Sequence, residues 1–261
     1  MTRYKALLIL AGAFLLVHCQ SKSDGHVTAG VSAAARGNSA ALAAARGGEE
    51  EVTFTTSDGV RISGTLYTAG SKAPAVLCLH QWRSDRASFA GLARTLQAAG
   101  ITVLAIDMRG YGGSTRTSGG ASVRPDRKAR ADVEASIAFM RQHASVDPAR
   151  IGIIGASYGS SNALQYAAAD SRIKTLVLLS PGLNYFNELP TEDAARTWGA
   201  RPLLAVASSE DVRSVETLQA YAKLASGAQT QLYENAGHGT DMLHSARGLD
   251  GLIAQHLKKN L

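Results

Sequence analysis

The stretch that decides the fold is residues 151–169, Ile-Gly-Ile-Ile-Gly-Ala-Ser-Tyr-Gly-Ser-Ser-Asn-Ala-Leu-Gln-Tyr-Ala-Ala-Ala. Its apolar beginning, 151–154, is typical of a buried strand, and its end, 160–169, is typical of a helix. Between them, Gly-Ala-Ser-Tyr-Gly at 155–159 fits a tight strand-to-helix turn that pushes the serine hydroxyl out of the sheet. The two glycines lack the Cβ atoms that would clash in such a turn. Ser157 is therefore a candidate nucleophile.

A serine nucleophile on such a turn needs a carboxylate and a histidine later in the chain. Asp211 follows a short apolar strand predicted at 203–207, in a loop where Glu210 is the alternative acid. His238 lies between two glycines after a strand predicted at 229–233, so its ring is accessible from both sides. Taken singly, Asp211 also fits a helix cap and His238 a turn residue. In this order, each after a strand, they indicate a Ser157–His238–Asp211 triad.

From about residue 52 to residue 261 the chain resembles the α/β-hydrolase family of serine hydrolases, including its dienelactone-hydrolase-like esterases. His80-Gln81-Trp82, after a strand predicted at 73–79, stands where members of the family carry His-Gly, and Gln81 replaces that glycine. The segment Asp-Met-Arg-Gly-Tyr-Gly-Gly-Ser at 107–114 looks like the Asp-x-Arg-Gly-x-Gly-x-Ser loop of the family. The resemblance implies that this second motif orders loops near the site and does no chemistry.

Two backbone amides are expected to bind an oxyanion. The amide of Tyr158 lies at the start of the helix that follows Ser157, where free N–H groups and the helix dipole favour negative charge. The resemblance implies a second amide in the loop after the strand at 73–79. Either Gln81 or Trp82 supplies it, and the sequence leaves that choice open.

The predicted fold class is α/β. Strands alternate with helices, which indicates a mostly parallel eight-stranded sheet with helices on both faces and an antiparallel hairpin at one edge. The strands are predicted at 51–55, 61–67, 73–79, 101–106, 151–154, 173–179, 203–207 and 229–233, and the helices at 87–99, 126–143, 157–169, 213–225 and 241–257. Segment 180–201 is too short for a cap domain, so we expect an open site in which Tyr185, Phe186, Trp198 and Trp82 line an acyl or aryl pocket or simply pack.

The amino terminus predicts a location. Residues 1–19 have a basic start, an apolar stretch too short to span a bilayer and a final cysteine, and so resemble a bacterial lipoprotein signal that would be lipidated on Cys19. His18 departs from the small residues that usually precede such a cysteine. The alternatives are ordinary signal cleavage to a soluble periplasmic or secreted form, and an uncleaved apolar anchor. Gln20 and Ser21 favour the outer membrane, on its periplasmic side, over the inner membrane.

The domain organisation follows from composition. Residues 20–50 are dominated by Ala, Gly and Ser and predict a flexible tether, and residues 51–261 form the catalytic domain. The net charge of +6 is mild, and no phosphate loop, dinucleotide motif or zinc-ligand spacing is present. We expect no cofactor, no metal and no nucleic-acid partner. Cys19 and Cys78 are the two cysteines, so no disulfide is expected within the mature chain, and the oligomeric state is left open.

The predicted function is hydrolysis of a small carboxylic ester by acyl transfer to water through an acyl-enzyme. Peptidase or thioesterase action on the same scaffold is the enzymatic alternative. A hydrolase fold that serves as a binding module of the cell envelope, without catalysis, is the alternative from another class.

Overall fold

The computed structural model of the protein describes residues 48–261. The signal segment predicted at 1–19, with Cys19, lies outside the described residues, as does the tether predicted at 20–50 except for its last three residues. Between residues 48 and 261, no helix is long and apolar enough to cross a membrane.

An eight-stranded sheet forms the centre of the described part of the chain, in the order β1-β2-β4-β3-β5-β6-β9-β10. A separate two-stranded ribbon consists of β7 and β8. The strands are β1 (Glu49–Thr55), β2 (Arg61–Tyr67), β3 (Ala73–Leu79), β4 (Thr102–Ile106), β5 (Val146–Ala156), β6 (Ile173–Leu179), β7 (Asn184–Tyr185), β8 (Leu189–Pro190), β9 (Leu203–Ser208) and β10 (Ala228–Tyr233).

The predicted antiparallel edge is present and the rest of the sheet is parallel. β1 pairs with β2 in antiparallel register, from Glu49 opposite Tyr67 to Thr55 opposite Arg61. β2 also runs antiparallel to β4, whereas every pair from β4 to β10 is parallel. The carboxyl ends of the parallel strands therefore meet at one edge, where open α/β sheets bind their ligands.

Helices cover both faces of the sheet, as predicted. Between residues 48 and 261 these are α1 (Ala90–Ala98), α2 (Arg130–Gln142), α3 (Tyr158–Ala169), α4 (Glu192–Trp198), α5 (Val212–Leu224), α6 (Met242–Ser245) and α7 (Leu249–Asn260). Buried side chains of α2, α3, α4 and α5 pack against one face of the sheet, together with Leu77 and Ile153. Those of α1 and α7 pack against the other face, with Val76 and Ile154. Alternate side chains of each central strand thus pack against the helices on opposite faces of the sheet. This explains the continuous apolar runs in the sequence.

Three predicted helices have clearly different bounds in the structure. The helix expected at 87–99 consists of a 3₁₀ turn (Arg86–Phe89) followed by α1. The helix expected at 241–257 is divided into a 3₁₀ turn (Gly239–Asp241), α6 and α7. α6 ends at Ser245, after which Ala246 is extended, and Gly248, with a φ of +83°, directly precedes α7. The helix expected to begin at residue 126 begins at Arg130, because Asp126 accepts a hydrogen bond from the amide of Lys128 and so favours a turn.

The segment between β6 and β9 contains no cap domain, as expected, but the site is less open than predicted. The ribbon of β7 and β8 and the short α4 fill this segment. Ser157 is only 6% exposed. Trp198, which the sequence placed among pocket or packing residues, is a core residue: it is 1% exposed and its indole N–H donates to the carbonyl of Arg201 at 2.8 Å.

Candidate active site

Ser157 lies on the predicted turn between β5 and α3, in a backbone conformation that few non-glycine residues adopt. Its φ is +53° and its ψ is −122°, and its amide donates to the carbonyl of Leu179 at 2.8 Å. A Cβ at Gly155 would lie 2.5 Å from the carbonyl oxygen of Gly159, and a Cβ at Gly159 would lie 2.5 Å from the carbonyl oxygen of Leu79. Both glycines are therefore required for α3 to start directly above the central strands.

The structure brings Ser157, His238 and Asp211 together. The Nε2 atom of His238 lies 2.8 Å from the Ser157 Oγ, and its Nδ1 atom lies 2.7 Å from a carboxylate oxygen of Asp211. An ionised carboxylate only accepts hydrogen bonds, so Nδ1 carries the proton and Nε2 accepts from the serine hydroxyl. This tautomer is the one that general-base catalysis by His238 requires.

Asp211 is set up to remain ionised. Burial alone would raise the pKa of Asp211, but hydrogen bonds from His238 and from neighbouring serine side chains lower it to about 2. Its side chain is 16% exposed, whereas that of His238 is 40% exposed. At neutral pH the carboxylate is therefore a fixed negative charge beside a solvent-accessible imidazole.

Glu210, the alternative acid, has a different set of partners. One carboxylate oxygen accepts the amide of Gly237 at 2.7 Å, and the other accepts the hydroxyl of Ser208. These hydrogen bonds, the one from Ser208 first, lower the pKa of Glu210. The Ser208 hydroxyl in turn accepts the amide of Ala236 at 2.6 Å. Glu210 therefore connects the loop after β9 to the loop that carries His238.

The loop after β3 carries the two remaining oxyanion candidates, Gln81 and Trp82. The Nδ1 atom of the fully buried His80 lies 2.7 Å from the carbonyl oxygen of Gln81, and its Nε2 accepts the amide of Met108 at 3.0 Å. Since the Met108 amide can only donate, His80 is protonated on Nδ1 and donates to Gln81. Burial lowers the pKa of His80, which keeps the ring neutral. The third candidate amide, that of Tyr158, is in the first turn of α3, where amides have no partner within the helix.

The Asp-x-Arg-Gly loop lies beside these elements. Asp107 is fully buried and accepts hydrogen bonds from the amides of Arg86 and Gly113 at 2.8 and 2.7 Å. Arg109 donates from Nε to the buried Asp132 at 2.8 Å and also pairs with Asp58. Both side chains bond to loops and to α2 and not to Ser157 or His238, so this motif orders the loops around the site.

Aromatic side chains surround the nucleophile. The ring of Trp82 lies 5.4 Å from that of Tyr158 and 5.2 Å from that of Phe186, between centroids. Tyr185 presents its ring to His238 at 6.5 Å, and its hydroxyl donates to the carbonyl of Ser180 at 2.8 Å. A cavity of about 280 Å³ lies on the ribbon side of Tyr185, between residues 182–186 and the first turns of α5. Tyr185 thus borders both this cavity and the His238 ring.

Sequence reasoning did not identify Ser180, which follows β6. Its φ is +46°, and its hydroxyl accepts the amide of Gly239, directly after His238, at 2.9 Å. A serine after an apolar strand carries no signal of such a role, because the contact joins residues that are 59 positions apart. Cys78 is a buried free thiol. Across residues 48–261 no cluster of three or more His, Cys, Asp or Glu side chains suits a metal ion.

Comparison with known proteins agrees with this architecture. Residues 74–202 match a family model described as alpha/beta hydrolase fold. An esterase of Pyrococcus furiosus, Pf2001, has a similar structure, with a TM-score of 0.66 and 21% identity over 82% of this chain and 94% of the esterase. A dienelactone hydrolase of Anabaena variabilis is similar with a TM-score of 0.67 and 16% identity, over 82% of this chain and 99% of that protein. The described part of the chain has the α/β-hydrolase fold.

Curated relatives match a shorter part of the chain. A thiohydrolase of Aspergillus aculeatus is 30% identical over 132 residues, which are 50% of this chain and 41% of the relative. The chain spans about half the length of the curated relatives it matches. The thiohydrolase name belongs to that relative, and the similarity to this chain covers only the shared part of the two sequences.

Proposed function

We propose that the protein is a serine hydrolase that cleaves carboxylic esters through an acyl-enzyme. The observation that carries this proposal is the hydrogen-bonded chain from Asp211 through His238 to Ser157, with the serine on a strained strand-to-helix turn. Backbone strain of this kind costs on the order of 1–3 kcal/mol and is typical of functional sites. A binding module without catalysis has no need for that arrangement.

Acylation begins at the Ser157 hydroxyl. Its Oγ attacks the ester carbonyl carbon while its proton passes to Nε2 of His238, and Asp211 stabilises the imidazolium that results. The amides of Tyr158 and of Gln81 or Trp82 bind the oxyanion of the tetrahedral intermediate. The intermediate collapses, the bond to the leaving oxygen breaks, and the imidazolium gives its proton to the departing alcohol.

Deacylation repeats these steps with water. His238, neutral again, takes a proton from a water molecule whose oxygen attacks the acyl carbon of the Ser157 ester. The second tetrahedral intermediate collapses to release the carboxylic acid, and the proton returns to Ser157. The 40% exposure of the His238 side chain is consistent with direct access of water to the imidazole.

The test is covalent labelling followed by a substrate comparison. A fluorophosphonate probe should modify the enzyme at Ser157, identified by peptide mass spectrometry. p-Nitrophenyl esters of increasing acyl length should then be hydrolysed faster than aminoacyl anilides. An unlabelled wild-type protein, or turnover of anilides alone, would contradict the assignment as an esterase.

A thioesterase is the second candidate, since a thiohydrolase is among the relatives. The same acyl-enzyme forms from a thioester, because attack and oxyanion binding do not depend on the leaving atom. Kinetics on matched oxygen and sulfur esters of one acyl group distinguish the two. A kcat/KM ratio that favours the thioester well beyond its intrinsic reactivity would assign the protein as a thioesterase.

We further propose that the mature protein is a lipoprotein of the cell envelope, anchored through Cys19. The tether is the part of the predicted segment 20–50 that precedes β1, since residues 49 and 50 pair with β2. The prediction is that Cys19→Ser gives a soluble or unprocessed protein with unchanged activity per molecule. An acyl anchor needs no folded contact, and a flexible tail of about thirty residues reaches roughly 30 Å. Intact-mass analysis of the membrane fraction is the measurement, and an unmodified Cys19 there would contradict the anchor.

A further inference from the structure

We propose that Gln81 is a positioning residue for the candidate general base: its side chain ties the oxyanion loop to the loop that carries His238. This inference rests on the proposed function. It concerns the position at which the chain departs from the His-Gly pattern of similar hydrolases.

The side chain of Gln81 spans two loops that are distant in sequence. Its Oε1 atom accepts the amide of Thr240 at 2.7 Å, across 159 positions of the chain. The backbone amide of Thr240 can only donate, so the side-chain oxygen Oε1 of Gln81, and not its side-chain NH₂ group, must face it. Glycine at position 81 has no atom that reaches Thr240.

The backbone next to His238 is shaped to admit this side chain. A Cβ at Gly239 would lie 2.0 Å from Oε1 of Gln81, closer than two non-bonded atoms can approach. Gly239 also has a φ of +60°, which few other residues adopt. The glycine and the glutamine therefore occupy complementary space, and a Cβ at position 239 would displace the Gln81 side chain from Thr240.

Gln81 completes a set of anchors around the histidine. The amides of Ala236 and Gly237, before His238, donate to Ser208 at the end of β9 and to Glu210 in the loop after it. The amide of Gly239 is held by Ser180 from the end of β6. Of these anchors, only the bond from Gln81 to Thr240 comes from the loop after β3.

Among these anchors, the Gln81 side chain links the His238 loop to the loop that carries the oxyanion amides. The carbonyl of Gln81 is held by His80 and also accepts the amide of Ser84 at 3.2 Å, so the loop that presents the oxyanion amides is rigid. Through its hydrogen bond to the Thr240 amide, the Gln81 side chain restricts the movement of the His238 loop relative to the loop after β3. It therefore fixes the distance between the oxyanion site and the general base, whose side chain is 40% exposed.

The test compares three substitutions at position 81. Gln81→Met keeps the length of the side chain but removes the acceptor, Gln81→Ala removes both, and Gln81→Glu keeps an acceptor oxygen. We expect the Met and Ala variants to lose about 10- to 100-fold in kcat with KM changed little, because a shift of about 1 Å in a catalytic group has an effect of that size. Gln81→Glu keeps an oxygen that accepts the Thr240 amide and should recover most of this loss.

The pH profile gives an independent readout. The carboxylate in Gln81→Glu adds a negative charge near His238, which favours the imidazolium, so the acidic limb of kcat should move to higher pH. The Met variant introduces no charge and should show no such shift. The other ionisable groups near His238 are common to all variants: Asp211, Glu210, Tyr185 and Asp241.

Active-site titration with the fluorophosphonate probe separates this inference from the proposed function. If the wild type does not label, the proposed function fails. If it labels and Gln81→Met keeps its kcat per labelled site within twofold, or if the Met and Glu variants lose activity equally, the role of Gln81 is refuted. Gln219→Ala, an exposed glutamine on α5, is the matched control and should match the wild type.

Discussion

Replacing Ser157 with alanine should lower kcat for ester hydrolysis by ~10³-fold or more and abolish fluorophosphonate labelling. In the proposed mechanism the Ser157 hydroxyl oxygen forms the acyl-enzyme, and it lies 2.8 Å from Nε2 of His238. Alanine keeps the backbone of the turn and the contacts of Gly155 and Gly159. The melting temperature should therefore stay close to that of the wild type, and turnover and thermal unfolding should be measured on the same preparation.

Ser161→Ala is the matched control for this substitution. Ser161 is buried on the same helix, α3, and its hydroxyl has no hydrogen-bond partner among the described residues. Its loss should leave kcat unchanged. If Ser157→Ala kept turnover within tenfold of the wild type while Ser161→Ala behaved as expected, the serine-hydrolase proposal would be refuted.

The sheet could be predicted from the sequence because its strands are buried on both faces. β3, β4, β6 and the second half of β5, residues 151–156, are almost fully buried, so each appears as a short apolar run. The turn at Ser157 could be predicted as well, because its two glycines mark it in the sequence. A Cβ atom at either glycine would clash with the backbone. Local sequence therefore predicted both the strands and the position of the candidate nucleophile.

The contacts between loops could not be predicted in this way. Gln81 and Thr240, or Ser180 and Gly239, meet because the parallel strands end at one edge, and nothing in their local sequences signals the pairing. The break of the last helix at Gly248 was missed because a single glycine is tolerated in a helical pattern. Trp198 was ambiguous for a similar reason, since an aromatic residue in a connecting segment fits a pocket or the core equally well.

The sequence offered both Asp211 and Glu210 as partners of His238, and the structure gives the two acids different contacts. Asp211 has a carboxylate oxygen 2.7 Å from Nδ1 of His238, while Glu210 accepts the amide of Gly237 and the hydroxyl of Ser208. Both side chains thus contribute to the same region, but one contacts the imidazole and the other contacts the backbone beside it. Substitutions that remove only the charge separate these roles.

Asp211→Asn should lower kcat by about 10³- to 10⁴-fold, whereas Glu210→Gln should change it little. An asparagine that presents its NH₂ group to Nδ1 stabilises the tautomer with the proton on Nε2, which cannot accept the proton of Ser157, and no negative charge then stabilises the imidazolium. Glutamine at position 210 retains an oxygen that accepts the amide of Gly237, so the loop keeps its shape. Steady-state kinetics of the two variants at one pH, with fluorophosphonate labelling rates as a second measure of Ser157 reactivity, provide the comparison. The reverse ranking would transfer the role to Glu210, and equal losses would mean that the two acids act on His238 as one unit.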